Sequence, residues 1–306
     1  MDKIRTSFIL LTAISSYAFS QQTNEDQSIP KPLGDEAFNA VQEFFKYDKT
    51  VAIDTRIIET TDEGAYKLEK FIFRNTKGKL VTGYLAIPKL DKLNYPCMVL
   101  LHAGAGAKDD WWSEDSFVRG LSFVNNLLTS GIAIMALDAE AHGERAIDNE
   151  FISIRRIWFE EKLTYKLSDI WLQSTKDYHQ GIDYIFTRKE IDRSRIGIMG
   201  YSLGGAMTSY LCTQIPQIKI AVMCSVIPFV KEISPPIYPL NFAPRIPDIP
   251  VLVLSGNKDE LVSETSVKEF ERLIKSNKKK LILYESGHFL PKEYLKDAFE
   301  WIKLNL

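Results

Sequence analysis

The chain has 306 residues, of which 45% are hydrophobic, 25% charged and 11% aromatic. This composition is typical of a soluble globular protein and excludes a disordered, collagen-like or multi-span membrane protein. Lys and Arg total 38 against 40 Asp and Glu, so the net charge of −2 provides no basic field for nucleic acid, and no nucleic-acid partner is expected.

Residues 1–20 have the pattern of a secretory signal peptide. Two basic residues precede an uncharged, mostly apolar run at residues 6–19, and the small residues around Ser20 are typical of a cleavage site. The run is too short to span a bilayer as a helix. We therefore expect a secreted or periplasmic mature chain without a membrane span, in which residues 21–34 are a polar linker and residues 35–306 form a single domain.

Short runs of Val, Ile and Leu alternate with segments of helical periodicity along the rest of the chain. Runs this short and this apolar are typical of strands buried on both faces of a sheet. Residues 169–187, with Ser168 as N-cap, and the segments 263–276 and 291–303 place apolar residues on one helical face. The alternation predicts βαβ units, a mostly parallel sheet and an α/β fold. The predicted strands are 71–74, 80–87, 97–102, 132–137, 196–199, 220–226, 251–255 and 281–284, with a hairpin turn at 77–78.

A predicted strand-to-helix turn carries the strongest functional motif, Gly-Tyr-Ser-Leu-Gly at residues 200–204. So tight a turn strains the backbone of Ser202, and the residues two positions away must be small, as Gly200 and Gly204 are. Ser202 then lies at a helix N-terminus, where free N–H groups favour a developing negative charge. Because a strand precedes the motif and a helix follows it, the motif predicts a nucleophilic serine rather than a structural glycine-rich turn.

A serine hydroxyl becomes a good nucleophile only when a base takes its proton. His288 follows the last predicted strand, and Asp259 follows the strand before it. Loops after parallel strands meet at one edge of the sheet, which is also the edge where the turn presents Ser202. We therefore predict a catalytic triad of Ser202, His288 and Asp259, with Asp138, which follows the strand 132–137, as the alternative acid.

The loop at residues 102–106, His-Ala-Gly-Ala-Gly, reaches the same edge. Its small residues allow a backbone N–H to approach the carbonyl oxygen of a substrate. We expect an oxyanion hole formed by the N–H of Leu203 and by that of Gly104 or Ala105. His102 is expected to brace the loop rather than take part in the chemistry.

Two further segments are expected to shape specificity at this edge. Residues 144–168 are a predicted cap or lid between a strand and the long helix, and the proline-rich residues 227–249 are a predicted stiff loop. Packing of the aromatic residues against the core is an equally good interpretation of the same pattern. The candidate substrate contacts are Trp111, Trp112, His142, Tyr201 and Trp158.

No metal or cofactor is expected. No His, Cys, Asp and Glu cluster has metal-ligand spacing, and the phosphate-binding motif G-x-x-x-x-G-K is absent from the sequence. Cys97, Cys212 and Cys224 have apolar neighbours typical of buried thiols, so no disulfide is expected.

Together, these motifs resemble those of α/β-hydrolases. The residues that carry the resemblance are the 200–205 turn, the 102–106 loop, Asp138 to Gly143, Gly256 to Asp259, and Ser286-Gly287-His288. The closest similarity is to dienelactone-hydrolase-like and acetyl-xylan-esterase-like secreted bacterial esterases. This resemblance implies an eight-stranded, mostly parallel sheet with helices on both faces and a small cap insertion. It does not fix the substrate. Our first functional hypothesis is a secreted serine esterase acting on small-molecule or carbohydrate esters with short acyl groups, such as acetyl.

Two other functions stay open at the level of the sequence. A serine peptidase of the prolyl-oligopeptidase type has the same order of triad residues, although residues 21–70 are too few for the propeller that many such peptidases carry. An inactive hydrolase fold used as a binding module is the other alternative. The presence of all three triad residues argues against it.

Overall fold

The computed structural model describes residues 28–50, 53–91, 94–149, 153–154 and 156–306. The predicted signal peptide and most of the predicted linker lie outside these residues. Pro32–Leu306 form one compact unit. None of the helices among the described residues is long and apolar enough to cross a membrane.

One mostly parallel sheet organises the described part of the chain. Its nine strands lie in the order β1-β2-β3-β5-β4-β6-β7-β8-β9. The pairs β1–β2, β2–β3 and β3–β5 are antiparallel, and the other neighbours are parallel. The strands are β1 (Arg56–Asp62), β2 (Tyr66–Arg74), β3 (Leu80–Pro88), β4 (Tyr95–Leu101), β5 (Ala133–Leu137), β6 (Ile191–Tyr201), β7 (Ile218–Cys224), β8 (Val251–Gly256) and β9 (Lys279–Tyr284).

The sequence predicts eight of these strands and misses β1. This strand pairs only with β2, at the edge of the sheet, and six of its seven residues are exposed. Such a strand has no buried face, so it leaves no apolar period for a sequence pattern to detect. The prediction of eight strands is therefore wrong by one, and the α/β class is confirmed.

The helices pack on both faces of the sheet. They are α1 (Asp35–Gln42), α2 (Leu121–Thr129), α3 (Thr164–Ile185), α4 (Leu203–Gln214), α5 (Pro239–Phe242), α6 (Glu264–Leu273) and α7 (Glu293–Asn305). Shorter 3₁₀ turns occupy Glu43–Phe45, Lys108–Trp112, Gly143–Asn149, Pro235–Ile237 and Ala243–Arg245, and a π-helical turn occupies Arg156–Glu160.

Alternating residues of β5 show how the two helical layers contact the sheet. Ile134 and Ala136 belong to a core cluster that includes residues of α2 and α7. Met135 and Leu137 point to the opposite face, where they lie next to Gly181 of α3. Because both faces are covered, β4 and β5 are buried along their whole length, as their continuous apolar sequence predicts.

The long helix begins earlier than the sequence predicts. Ser168 is not an N-cap but lies inside α3, and its hydroxyl donates to the carbonyl oxygen of Thr164 at 2.7 Å. The last residues of the predicted cap, 164–168, therefore belong to α3. The rest of the cap connects β5 to α3 through the turns at Gly143–Asn149 and Arg156–Glu160. Residues 150–152 and 155 of this segment lie outside the described residues.

Candidate active site

The turn between β6 and α4 presents Ser202 in a conformation that few residues other than glycine adopt. Its backbone has φ 55° and ψ −109°, and its N–H donates to the carbonyl oxygen of Cys224 at 2.8 Å. A Cβ atom on Gly200 would lie 2.1 Å from the carbonyl oxygen of Gly204. A Cβ atom on Gly204 would lie 2.4 Å from that of Leu101. Both glycines are therefore required by close backbone approach, as the motif predicts.

Ser202, His288 and Asp259 form a continuous chain of hydrogen bonds. The distance from Ser202 Oγ to His288 Nε2 is 2.9 Å, and that from His288 Nδ1 to Asp259 Oδ2 is 2.8 Å. The second carboxylate oxygen, Asp259 Oδ1, accepts the N–H groups of Leu261 at 2.8 Å and Val262 at 3.2 Å. An imidazole that donates from Nδ1 to the carboxylate leaves Nε2 free to accept the serine proton. The structure thus brings together the three residues that the sequence predicts.

The loops that carry the acid and the histidine touch through their backbones. A Cβ atom on Gly256 would lie 2.2 Å from the carbonyl oxygens of both Ser286 and Gly287. Glu260 joins the same two loops, since its Oε2 accepts the N–H of His288 at 3.2 Å. Glu260 could not be predicted from the sequence, because a carboxylate that binds a backbone N–H on another loop has no motif of its own.

The predicted oxyanion loop lies beside the first residue of α4. A Cβ atom on Gly104 would lie 3.6 Å from Leu203 Cβ and 3.4 Å from Trp158 Cζ3. The N–H of Gly204 donates to the carbonyl oxygen of His102 at 3.1 Å, which ties the loop to the helix. The N–H of Leu203, like every first N–H of a helix, has no acceptor within the helix. Ala105, the other predicted contributor, is exposed.

Comparison with known proteins identifies the family of this chain. A family model described as serine hydrolase (FSH1) matches residues 113–298, which is more than half of the chain. The chain belongs to the FSH1 serine hydrolase family. YtaP of Bacillus subtilis (strain 168), a protein named as a hydrolase, is 25% identical to this serine hydrolase over 182 residues. That match covers 58% of each chain, so it spans little more than half the length of this relative.

Solved structures similar to this serine hydrolase include two acetyl xylan esterases. Acetyl xylan esterase 1 from Thermoanaerobacterium sp. JW/SL YS485 has a TM-score of 0.69 at 17% identity, covering 90% of this chain and 94% of the other. The acetyl xylan esterase from Paenibacillus sp. R4 has a TM-score of 0.67 at 15% identity, covering 90% and 97%. At these identities the likeness establishes the α/β-hydrolase fold alone.

Two buried histidines, His102 and His142, hold the loop at residues 102–106. His102 Nε2 accepts the N–H of Ala139 at 3.0 Å, and its Nδ1 lies 2.7 Å from the carbonyl oxygen of Ala103. Burial and the nearby His142 ring lower the pKa of His102 to about 4, so the ring is neutral at neutral pH. His142, a predicted substrate contact, lies between the carbonyl oxygens of Glu140 and Gly104, at 2.8 and 2.9 Å. Burial also lowers the pKa of His142.

Asp138, the alternative acid, forms a buried ion pair with Lys108. Its Oδ2 lies 2.8 Å from Lys108 Nζ, and neither side chain is exposed. Its Oδ1 accepts the N–H of Lys108 at 2.9 Å, and Thr82 Oγ1 donates to Oδ2 at the same distance. Lys108 lies two residues after the predicted oxyanion loop, so this pair holds the chain that follows the loop to the end of β5. The structure therefore gives Asp138 partners other than His288.

The candidate aromatic contacts do not form one group. Trp111 is 0% exposed and packs against Phe123 in the core, so the structure does not bring it to the site. Trp112 is partly buried and meets the ring of Tyr84 edge-on. Tyr201 is 1% exposed, and its hydroxyl binds backbone groups rather than facing an open pocket. Of this set, Trp158 lies against the oxyanion loop, with its ring edge-on to Trp171.

The three cysteine thiols have no role in the candidate site. The three cysteines among the described residues are free and buried. Burial raises the pKa of all three thiols, that of Cys97 to about 12. Within the described ranges, no group of three or more His, Cys, Asp or Glu side chains is arranged to hold a metal ion.

Proposed function

We propose that this serine hydrolase cleaves carboxylic esters with Ser202 as nucleophile, His288 as general base and acid, and Asp259 as the orienting carboxylate. The observation that carries the proposal is the hydrogen-bond chain of 2.9 and 2.8 Å through the two nitrogens of His288. The position of Ser202 at the N-terminus of α4 also supports the proposal, because backbone N–H groups there can stabilise an oxyanion.

The first half of the reaction acylates the serine. Ser202 Oγ attacks the carbonyl carbon of the ester while its proton passes to His288 Nε2. Asp259 keeps the imidazole in the correct tautomer and stabilises the imidazolium. The tetrahedral intermediate then collapses, and the proton moves from His288 to the leaving alcohol oxygen as the carbon–oxygen bond breaks. In the second half, water attacks the acyl-enzyme in the same way, releasing the carboxylic acid and restoring Ser202.

The oxyanion of both intermediates is stabilised by backbone N–H groups. We assign one to Leu203 and the other to Gly104 or Ala105. The position of Gly104 supports this pairing, because a Cβ atom on it would lie 3.6 Å from Leu203 Cβ, so the loop lies alongside the start of α4. Removal of one such donor lowers kcat by about 10²- to 10³-fold.

The substrate of this proposal has a short acyl group, and acetyl esters of carbohydrates are the class to test. The indole of Trp158 comes within 3.4 Å of the Cβ position of Gly104, which restricts the space beside the oxyanion loop. The names of the two similar esterases, both acetyl xylan esterases, favour the same class.

Hydrolysis of p-nitrophenyl acetate, butyrate and octanoate by wild type, Ser202→Ala and Ser209→Ala tests this function. Ser209 is a matched control, because it is a buried serine of α4 whose hydroxyl donates to the carbonyl oxygen of Ala206. We expect turnover to fall from acetate to octanoate, to disappear in Ser202→Ala and to persist in Ser209→Ala. Activity retained in Ser202→Ala would disprove the nucleophile, and turnover of peptides but not esters would favour the peptidase alternative.

Export is part of the proposal and rests on the signal-like pattern at residues 1–20. When the full-length chain is expressed in a bacterium, the exported fraction should contain a protein that begins near residue 21. Intact-mass analysis distinguishes this product from one that retains the first residues. A chain found only inside the cytoplasm, with its N-terminal segment intact, would contradict export.

A further inference from the structure

The backbone carbonyl of His288 is held by two buried hydroxyl groups. Tyr201 Oη donates to this oxygen at 2.9 Å, and Ser225 Oγ donates to it at 3.0 Å. Tyr201 Oη also accepts the N–H of Leu290 at 2.9 Å, so it grips the chain on both sides of Phe289. Tyr201 and Ser225 are at most 1% exposed, which keeps water from competing for these bonds.

Both hydroxyls belong to backbone that is attached to the nucleophile. Tyr201 directly precedes Ser202, and Ser225 directly follows Cys224, whose carbonyl oxygen accepts the N–H of Ser202 at 2.8 Å. The peptide of His288 is therefore tied to the same backbone that fixes Ser202. This connection is independent of the hydrogen bond between the two side chains.

The backbone of Ser225 has a strained conformation of the kind found at functional sites. Its φ is 45°, in the left-handed region that glycine adopts at less cost than any other residue. Backbone strain of this kind persists only where the surrounding structure fixes the conformation, and it is concentrated at functional sites. Burial raises the pKa of Tyr201, so its hydroxyl stays neutral and can donate and accept at once.

We propose that Tyr201 and Ser225 are positioning residues, which hold the backbone of His288 so that its Nε2 stays within hydrogen-bond distance of Ser202 Oγ. The inference rests on the proposed function and adds two residues to it that do not touch the substrate. A displacement of about 1 Å between reacting groups can cost on the order of 10²-fold in rate. Loss of either hydroxyl is therefore expected to slow the chemistry while leaving substrate binding intact.

The test compares Tyr201→Phe and Ser225→Gly with Tyr294→Phe. Tyr294 is a matched control, because it is equally buried and packs its ring edge-on against that of Tyr201, but its hydroxyl donates to the carbonyl oxygen of Val118 at 2.8 Å rather than to that of His288. Ser225→Gly removes the hydroxyl and relieves the backbone strain, so any loss of rate in this variant does not come from added strain. Steady-state kinetics on p-nitrophenyl acetate separates kcat from KM.

A second readout depends on the nucleophile but not on binding of the ester. Diisopropyl fluorophosphate reacts with an activated serine. Ser202 Oγ bonds to phosphorus, the phosphorus–fluorine bond breaks, fluoride leaves and the serine proton passes to His288. In Tyr201→Phe and Ser225→Gly, we expect kcat and this inactivation rate to fall about ten-fold each, with KM within about two-fold of wild type. The double variant should lose about a hundred-fold, and Tyr294→Phe should keep both rates.

Wild-type rates in Tyr201→Phe and Ser225→Gly, beside an inactive Ser202→Ala, would overturn the positioning role and leave the proposed function standing. An active Ser202→Ala would overturn the proposed function itself. An equal loss of rate in Tyr294→Phe would also overturn the inference, because it would show that any buried hydroxyl of this core has the same effect.

Discussion

The buried pair of Lys108 and Asp138 offers a quantitative test of how the oxyanion loop is held. Lys108→Met keeps most of the aliphatic stem and removes the ammonium that lies 2.8 Å from Asp138 Oδ2. The carboxylate then keeps the hydroxyl of Thr82 and the backbone N–H groups of Lys108 and Glu144, but it loses its buried cation. Removing one partner of a buried ion pair costs about 3–5 kcal/mol. We expect the free energy of unfolding at pH 8 to fall by about that amount.

The loss of unfolding free energy in Lys108→Met should depend on pH, in a direction set by the Asp138 carboxylate. Burial raises the pKa of Asp138, but the charge of the Lys108 ammonium and the hydrogen bonds to the carboxylate together hold the pKa below its ordinary value. In wild type, stabilisation by this carboxylate is therefore present above the unfolded-state pKa of about 3.9, and it is lost only as the pH falls through the lower folded-state pKa. In Lys108→Met, burial raises the folded-state pKa, so the carboxyl takes up a proton as the pH falls. The penalty then shrinks by up to about 1.4 kcal/mol per pH unit below that pKa.

Urea unfolding followed by tryptophan fluorescence at pH 8 and pH 5 measures both effects. Lys268→Met is the control, since Lys268 pairs with Glu264 on the surface of α6 and its side chain is 58% exposed. Its loss should stay below about 0.5 kcal/mol at either pH. An equal penalty for Lys108→Met at both pH values, or one no larger than that of the control, would refute the reasoning.

Three further variants probe the site itself. Asp259→Asn should lower kcat on p-nitrophenyl acetate by about 10⁴-fold, and near-normal turnover would show that another group, such as Asp138, serves as the acid. Gly200→Ala places a Cβ atom 2.1 Å from the carbonyl oxygen of Gly204, so its melting temperature should fall well below that of wild type in a thermal scan. Trp158→Ala should raise the ratio of kcat/KM for p-nitrophenyl butyrate over acetate by about ten-fold or more, and an unchanged ratio would exclude Trp158 as a limit on acyl length.

The features that can be predicted from the sequence are those with a local pattern or a fixed place in the sheet. The turn at residues 200–204 is recognisable because Gly200 is required by its close approach to the backbone of Gly204 within the turn, and because the strand and helix on either side have clear patterns. His288 and Asp259 could be placed at the same edge because the carboxyl ends of parallel strands meet there. The central strands could be predicted because burial on both faces leaves continuous apolar runs.

Features that depend on residues distant in the chain could not be predicted from the sequence. Lys108 is completely buried, although lysine is among the residues least often buried, and its partner Asp138 lies thirty positions away. Trp111 lies next to the oxyanion loop in sequence, but its side chain packs into the core. Ser225 has no motif, because its contact with His288 exists only once β7 and the final loop are assembled.

The order of the site residues along the chain has a consequence for biosynthesis. Ser202 is made first, with the turn after β6, whereas Asp259 follows β8 and His288 follows β9. Under the proposed function, a growing chain therefore contains its nucleophile before it contains the general base. A translation product that ends before β9 would lack His288, so the proposed mechanism predicts that it has no esterase activity.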